Sequence, residues 1–136
     1  MELRVCVPGK PQTKQRPRVT RKGTFTPKAT RDWDARATRI IDEAMEAQGW
    51  TAPPRGEGVV AVVTVVFARK TSQPGEGGRI RHTRRPDLDN IIKCVKDALG
   101  KGALTDDAQI WQMAAEKWYA SHGESPHVEV VLRRTS

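Results

Sequence analysis

Apolar and polar residues alternate from Glu2 to Val7 (ELRVCV), the period of a half-buried strand, and Pro8-Gly9 closes the run. Nothing periodic follows as far as Lys28. Pro8 to Lys28 holds three interior prolines and two interior glycines, which predicts a loop with room for a short hairpin. From about Ala29 the period changes: Trp33, Ala37, Ile40, Ile41 and Ala44 recur at steps of three and four until Gly49, the mark of an amphipathic helix. Trp50 to Gly58, with two prolines and two glycines, reads as a connection. Val59 to Ala68 (VVAVVTVVFA) is a β-branched run that suits a buried central strand. After a polar stretch from Arg69 to Pro86, helical spacing returns at Leu88, Ile91, Ile92, Val95 and Leu99, and Gly100 stops it. Ile110 to Ala120 and Val128 to Arg133 read as two more strands, which the turn-forming SHGESP joins into an expected antiparallel pair. The order β-α-β-α-β-β, without internal repeat, predicts an α/β (α+β) fold. It is a single domain over residues 1–136 with a mixed sheet of about four strands and two helices.

Length fits that reading: 136 residues with 37% apolar content support one modest core. No apolar run approaches the roughly 20 residues of a membrane span, and Met1-Glu2-Leu3-Arg4 lacks the apolar stretch of a secretory signal. The expectation is therefore a cytoplasmic protein without membrane partner. Two cysteines and three histidines show no zinc-ligand spacing, so no zinc is expected.

Charge adds more. The net charge is +8, and it is not evenly spread. Residues 8–28 carry seven cations and no anion, and residues 69–86 carry six cations against the single carboxylate Glu76, leaving the rest of the chain net acidic. Two solvated loops are the plain alternative; contact with a phosphate backbone explains the concentration better. The cations expected on DNA are Lys14, Arg16, Arg18, Arg21 and Lys22 in the first loop, and Arg79, Arg81, Arg84 and Arg85 in the second.

Directly after the second basic loop stands Arg84-Arg85-Pro86-Asp87-Leu88-Asp89-Asn90-Ile91-Ile92-Lys93, and about one helix later Leu104-Thr105-Asp106-Asp107-Ala108-Gln109. Asp87 and Asp89 converge only if the helix begins near Leu88 or Asp89, a boundary that Pro86 favours. Taken alone, this pair is ordinary capping, each residue contributing about 0.5–2 kcal/mol. Asp89, Lys93 and Asp97 also share the polar stripe opposite the apolar one. If Asp106 and Asp107 meet the first pair, three or four carboxylates must hold protons or a cation. An all-oxygen set then suits Mg²⁺, with Mn²⁺ as a substitute. A hard ion among carboxylates, flanked by cations that hold the strands, describes a metal-dependent nuclease, with Lys93 a point charge for the phosphate. Its plain alternative is an ion pair with Asp89, worth about 0.3–0.5 kcal/mol.

These residues resemble the RusA family of Holliday-junction resolvases, small DNA endonucleases of phages and prophages. The family's D-L-D-N-x-x-K stands here as Asp87 to Lys93, and its L-x-D-D-x-Q as Leu104 to Gln109. Asp97-Ala98-Leu99 matches the intervening helix, and Pro11 to Arg18 with Phe25-Thr26-Pro27 resembles the leader of phage-type members. The resemblance implies an α/β homodimer that cuts opposed strands of a four-way junction with Mg²⁺, leaving 5′-phosphate and 3′-hydroxyl ends. It implies Asp87, Asp89 and Asp107 as metal-binding catalytic carboxylates, Asp106 as their support at the metal, and Lys93 as the helper at the phosphate. The rival readings are a non-catalytic junction or duplex DNA-binding module and an RNA-directed metal-dependent hydrolase.

Other residues invite roles. Of Trp111, Trp118 and Tyr119, at least two are expected in the core or a dimer interface rather than as base-stacking platforms. Cys6 and Cys94 read as small, partly buried side chains. His82 reads as a solvated loop histidine. Phe25 is equally a loop anchor or a wedge between bases.

Overall fold

The computed structural model describes residues 1–14, 18–21, 23–25, 27–73 and 77–135, and the side chains at 18–20, 24 and 25 lie outside that description. Strand β1 (Glu2–Pro8) buries Leu3, Val5 and Val7 and turns Arg4 and Cys6 outward, as its alternation requires. A hairpin of β2 (Arg18–Thr20) and β3 (Gly23–Phe25) sits within the first basic loop. Helix α1 (Lys28–Gln48) buries Thr30, Trp33, Ala37 and Ile41, and ends at Gly49 with φ 69°, where the missing Cβ permits the left-handed cap. β4 (Gly58–Phe67) follows, then a two-residue strand β5 (Ile80–Arg81), helix α2 (Leu88–Leu99), β6 (Ile110–Tyr119) and β7 (His127–Thr135).

The five-stranded sheet has the order β1-β7-β4-β6-β5. β4 is central, as its β-branched composition predicts, and Val59, Ala61, Val63 and Val65 are fully buried beneath the helices. Both helices lie on one face, α1 packing on β1 and α2 packing on α1 and β6. The other face carries no helix and exposes Val62 beside its register partner Ala114.

The expected β6–β7 pair is corrected. β6 runs parallel to β4, β7 runs antiparallel to β4, and β4 stands between them. Residues 120–126 pass over the end of β4, where Ala120 N–H donates to Phe67 O at 2.8 Å. A ten-residue apolar strand needs a partner on each side, and inserting between the last two strands supplies both. β5 is the other strand beyond the expectation. His82 is corrected as well. It is 7% exposed, stacked on Tyr119 with ring centroids 4.2 Å apart and tilted against Phe67 at 4.6 Å. Burial, with help from the Lys117 ammonium, pushes its pKa down. Tyr119 is core and Trp118 half-buried, but Trp111 is 63% exposed. Cys94 is buried, its thiol pushed up to about 11 by burial, whereas Cys6 is exposed.

Candidate nuclease site

Two stretches of chain carry the candidate chemistry. The first opens α2. Asp87, which follows Pro86, is extended at φ −67°, ψ 139°, so Leu88 is the first helical residue. Ile91, Cys94, Val95, Ala98 and Leu99 fix the helix on the core and leave Asp89, Lys93 and Asp97 on its exposed side. Asp87 occupies the N-cap position without a side-chain capping bond. The capping bond expected of Asp87 is thus absent, while Asp89 does sit in the first turn, where its charge complements the helix dipole. Among the described residues, the carboxyls of Asp87, Asp89 and Asp107 and the ammonium of Lys93 take part in no hydrogen bond or ion pair. A carboxylate pair beside a helix N-terminus complements the positive end of the helix dipole.

The turn that presents this pair is fixed from β6. Lys117 Nζ donates to Arg84 O at 2.5 Å and to Pro86 O at 2.6 Å, and His82 N–H donates to Lys117 O at 3.0 Å. Sequence reading missed Lys117; as one lysine within a strand it carries no signal without the fold.

The second stretch opens β6. Asp107 to Gln109 form a single 3-10 turn that Asp106 caps, accepting from Ala108 N–H at 3.0 Å. Gln109 answers as the partner of that capping box and does much more. Its buried amide accepts from Thr105 and Asp106 N–H and donates to Pro53 O, Pro54 O and Glu57 O, tying the acidic turn to the connection before β4. Arg55, also missed, pairs with Asp106 at 3.0 Å. The Asp106 carboxylate is therefore engaged in holding the turn, and Asp107 beside it is exposed. Trp111 shares a cleft with Arg55 and Asp106, and its indole lies across Gly58, where a Cβ would meet Trp111 Cδ1 at 2.7 Å.

One expectation about these stretches is corrected: they do not meet within one chain. Asp107 Oδ1 lies 3.1 Å from where a Cβ on Gly100 would sit, so it belongs to the C-terminal end of α2. It shares a cleft there with Lys96, Asp97 and Lys101. Asp87 and Asp89 stand at the other end of the same 12-residue helix, about 18 Å away at 1.5 Å per residue. Accordingly, no group of three or more His, Cys, Asp or Glu residues able to hold a metal exists among the described residues of the single chain. The cause is topological. β6 runs back alongside α2, so the residue that starts the strand and the residue that starts the helix mark opposite ends of the sheet.

The expected DNA contacts divide. Arg81, Arg84 and Arg85 are exposed beside Asp87, and Arg21 is exposed in the turn between β2 and β3. Arg79 is held elsewhere, by Glu124 at 2.6 and 3.0 Å and Glu129 at 3.5 Å. The bond from Arg79 holds the Glu124 carboxyl down at about 2. Lys14 pairs with Asp97 at 2.5 Å, and its N–H donates to Asn90 O at 3.0 Å, laying the leader along α2. Arg16 and Lys22 lie outside the described residues, as do the side chains of Arg18 and Phe25.

The family described as Endodeoxyribonuclease RusA matches residues 8–133, a span that contains both acidic stretches and both basic loops. The chain belongs to the RusA endodeoxyribonuclease family. A curated relative, the protein YqaN of Bacillus subtilis (strain 168), which is described as uncharacterized, is 39% identical over 73 residues, covering 54% of this chain and 49% of the relative. The chain thus spans about half the length of that relative. No helix among the described residues is long and apolar enough to cross a membrane.

Proposed function

We propose that this RusA-family chain is a Mg²⁺-dependent endonuclease that resolves four-way DNA junctions as a homodimer by paired nicks in opposed strands. The observation that carries this is the pair Asp87 and Asp89: exposed at a helix start, without protein partners, and bracketed by Arg81, Arg84 and Arg85. The donor set fits a hard divalent ion, being carboxylate oxygen throughout; Asp87 and Asp89 are the residues of one chain that would hold it, Asp107 standing at the far end of α2. Bound there, such an ion supplies charge neutralisation at the phosphate and a more acidic water as nucleophile. The chain's own groups do the rest. Arg81, Arg84 and Arg85 draw the phosphate backbone toward a centre that would otherwise repel it. Lys93, one turn beyond Asp89 and free of other partners, places a positive charge where the leaving oxygen develops its own. Asp106 keeps the acidic turn in shape instead of binding the ion.

Cleavage of a mobile four-way junction, followed on both labelled strands with and without Mg²⁺, tests the reading. The expected result is symmetric nicking that needs the ion and that Asp89→Asn abolishes while junction binding persists. Binding without any Mg²⁺-dependent nicking by the unaltered protein would leave a DNA-binding module, and preferential cutting of RNA would assign the site to another substrate.

A further inference from the structure

We infer that Trp111 is a stacking platform for an unpaired nucleobase of the bound DNA, set beside the acidic turn that carries Asp107. This rests on the nuclease reading above and adds how a branched strand is gripped. Among the described residues, Met1, Val62 and Trp111 are the large apolar side chains left exposed, and Trp111 is 63% exposed. Exposure alone is ordinary. Three features make this ring a built surface. It is aimed by a bulge: Val59 pairs with Ile110 but Val60 pairs with Gln112, so Trp111 is an extra residue on β6 that opposes nothing on β4. Such a residue turns its side chain out of the sheet's alternation. The ring is also held in orientation. Its Nε1 donates to Thr135 Oγ1 at 2.8 Å, and the indole lies across Gly58, where a Cβ would meet Nε1 at 2.8 Å. With that N–H spent inside the protein, the ring presents π surface to solvent and no donor. Finally, it walls a cleft of about 540 Å³, within the roughly 300–1,000 Å³ of small-ligand sites. The two carboxylates of the cleft are already answered, Glu57 by Arg134 at 2.5 Å and Asp106 by Arg55 at 3.0 Å. A neutral ring therefore enters without meeting an unpaired charge.

The occupant follows from these surroundings. A protein partner is met by a contiguous apolar patch, whereas this is one ring among glycines and paired charges. A nucleobase is flat and neutral, and it stacks on an aromatic side chain whatever its identity. Arg55, whose side chain is 74% exposed, stands in the same cleft for the phosphate next to that base. The cleft also takes in Asp106, Ala108 and Gln109, so it borders the turn that presents Asp107. Bases flanking the crossover of a four-way junction have already lost a stacking neighbour, which makes them cheaper to take up than bases within a duplex.

Fluorescence of 2-aminopurine, placed in turn at each base flanking the crossover, reports the stack; binding is followed without Mg²⁺ so that the junction stays whole. The unaltered protein should quench the probe at one of these positions. Trp111→Ala should lose that quenching and bind the junction about 10- to 100-fold more weakly, the weight of one stacked base. Its affinity for a linear duplex should stay within about twofold, and the dependence of binding on salt should keep its slope, because no cation has been removed. Trp111→Phe should retain most of the quenching. Gly58→Ala, which keeps the indole but displaces it, should lose it. A Trp111→Ala chain that quenches the probe and binds the junction like the unaltered protein would overturn the platform. So would equal losses on junction and duplex, or a loss of self-association in place of junction affinity, which would give the ring to a second copy of the chain. The nuclease reading fails separately: a quenched base with no Mg²⁺-dependent nicking by the unaltered protein would sink that reading and leave the platform standing.

Discussion

The two edges of the sheet are treated very differently. At β1 part of the outward backbone is covered by side chains: Gln48 at the end of α1 accepts from Arg4 N–H at 2.9 Å and donates to Arg4 O at 2.8 Å. Arg36 Nε donates to Pro8 O at 3.0 Å, and proline has no N–H to offer. These bonds leave less of that edge open to a further strand. At β6 nothing comparable covers residues 110–116 among the described residues. The longer unpaired stretch of sheet edge among the described residues is therefore on β6.

The largest effect that would break this contrast is expected from Met113→Pro. It removes an outward N–H that has no partner among the described residues, and it should leave a folded chain that sediments as a monomer and loses junction cleavage by at least 100-fold. A dimer that cuts normally would show that association uses another surface. Next comes Gln109→Ala, which leaves buried carbonyl and N–H groups around the acidic turn unpaired; a loss of about 3 kcal/mol is expected in urea unfolding. Smaller is Gln48→Ala on the closed edge, which should cost about 1 kcal/mol and, by opening β1, produce self-association detectable by light scattering. An unchanged association state there would mean that proline and Arg36 suffice. Subtlest is a pH effect. Glu124 binds its proton only near pH 2 in the folded chain but at its ordinary, higher value when unfolded. Its pairing with Arg79 therefore stabilises above about pH 4.5 and is lost as pH falls toward 2. Glu124→Gln should flatten that part of the stability curve, read from thermal melts between pH 5 and 2.

Elements whose burial is one-sided were legible in the chain. β1, α1 and α2 show their period because one face meets the core and the other meets water, and their ends are marked by Pro8, Gly49, Pro86 and Gly100. Pairing was not legible, because which strand lies beside β4 depends on the whole sheet; β7 and β6 both satisfy it, and sequence proximity suggested the wrong neighbours. The acidic residues stood out by type and spacing, yet their distance from each other did not, since a helix of 12 residues between two motifs says how far apart its ends are only once the direction of the next strand is known. His82 misled for a related reason: it follows a polar loop, but the loop ends by delivering that ring between Phe67 and Tyr119. Gln109 and Lys117 act through backbone atoms of distant residues, and such bonds leave no trace in the pattern of side chains.

Placing one acidic stretch at each end of α2 makes the helix a ruler. The span between the two acidic stretches follows from the length of a packed helix and of the strand beside it. The basic loops are then free to vary without altering that span. Only insertion or deletion within α2 or β6, with the sheet rebuilt to match, would change that gauge.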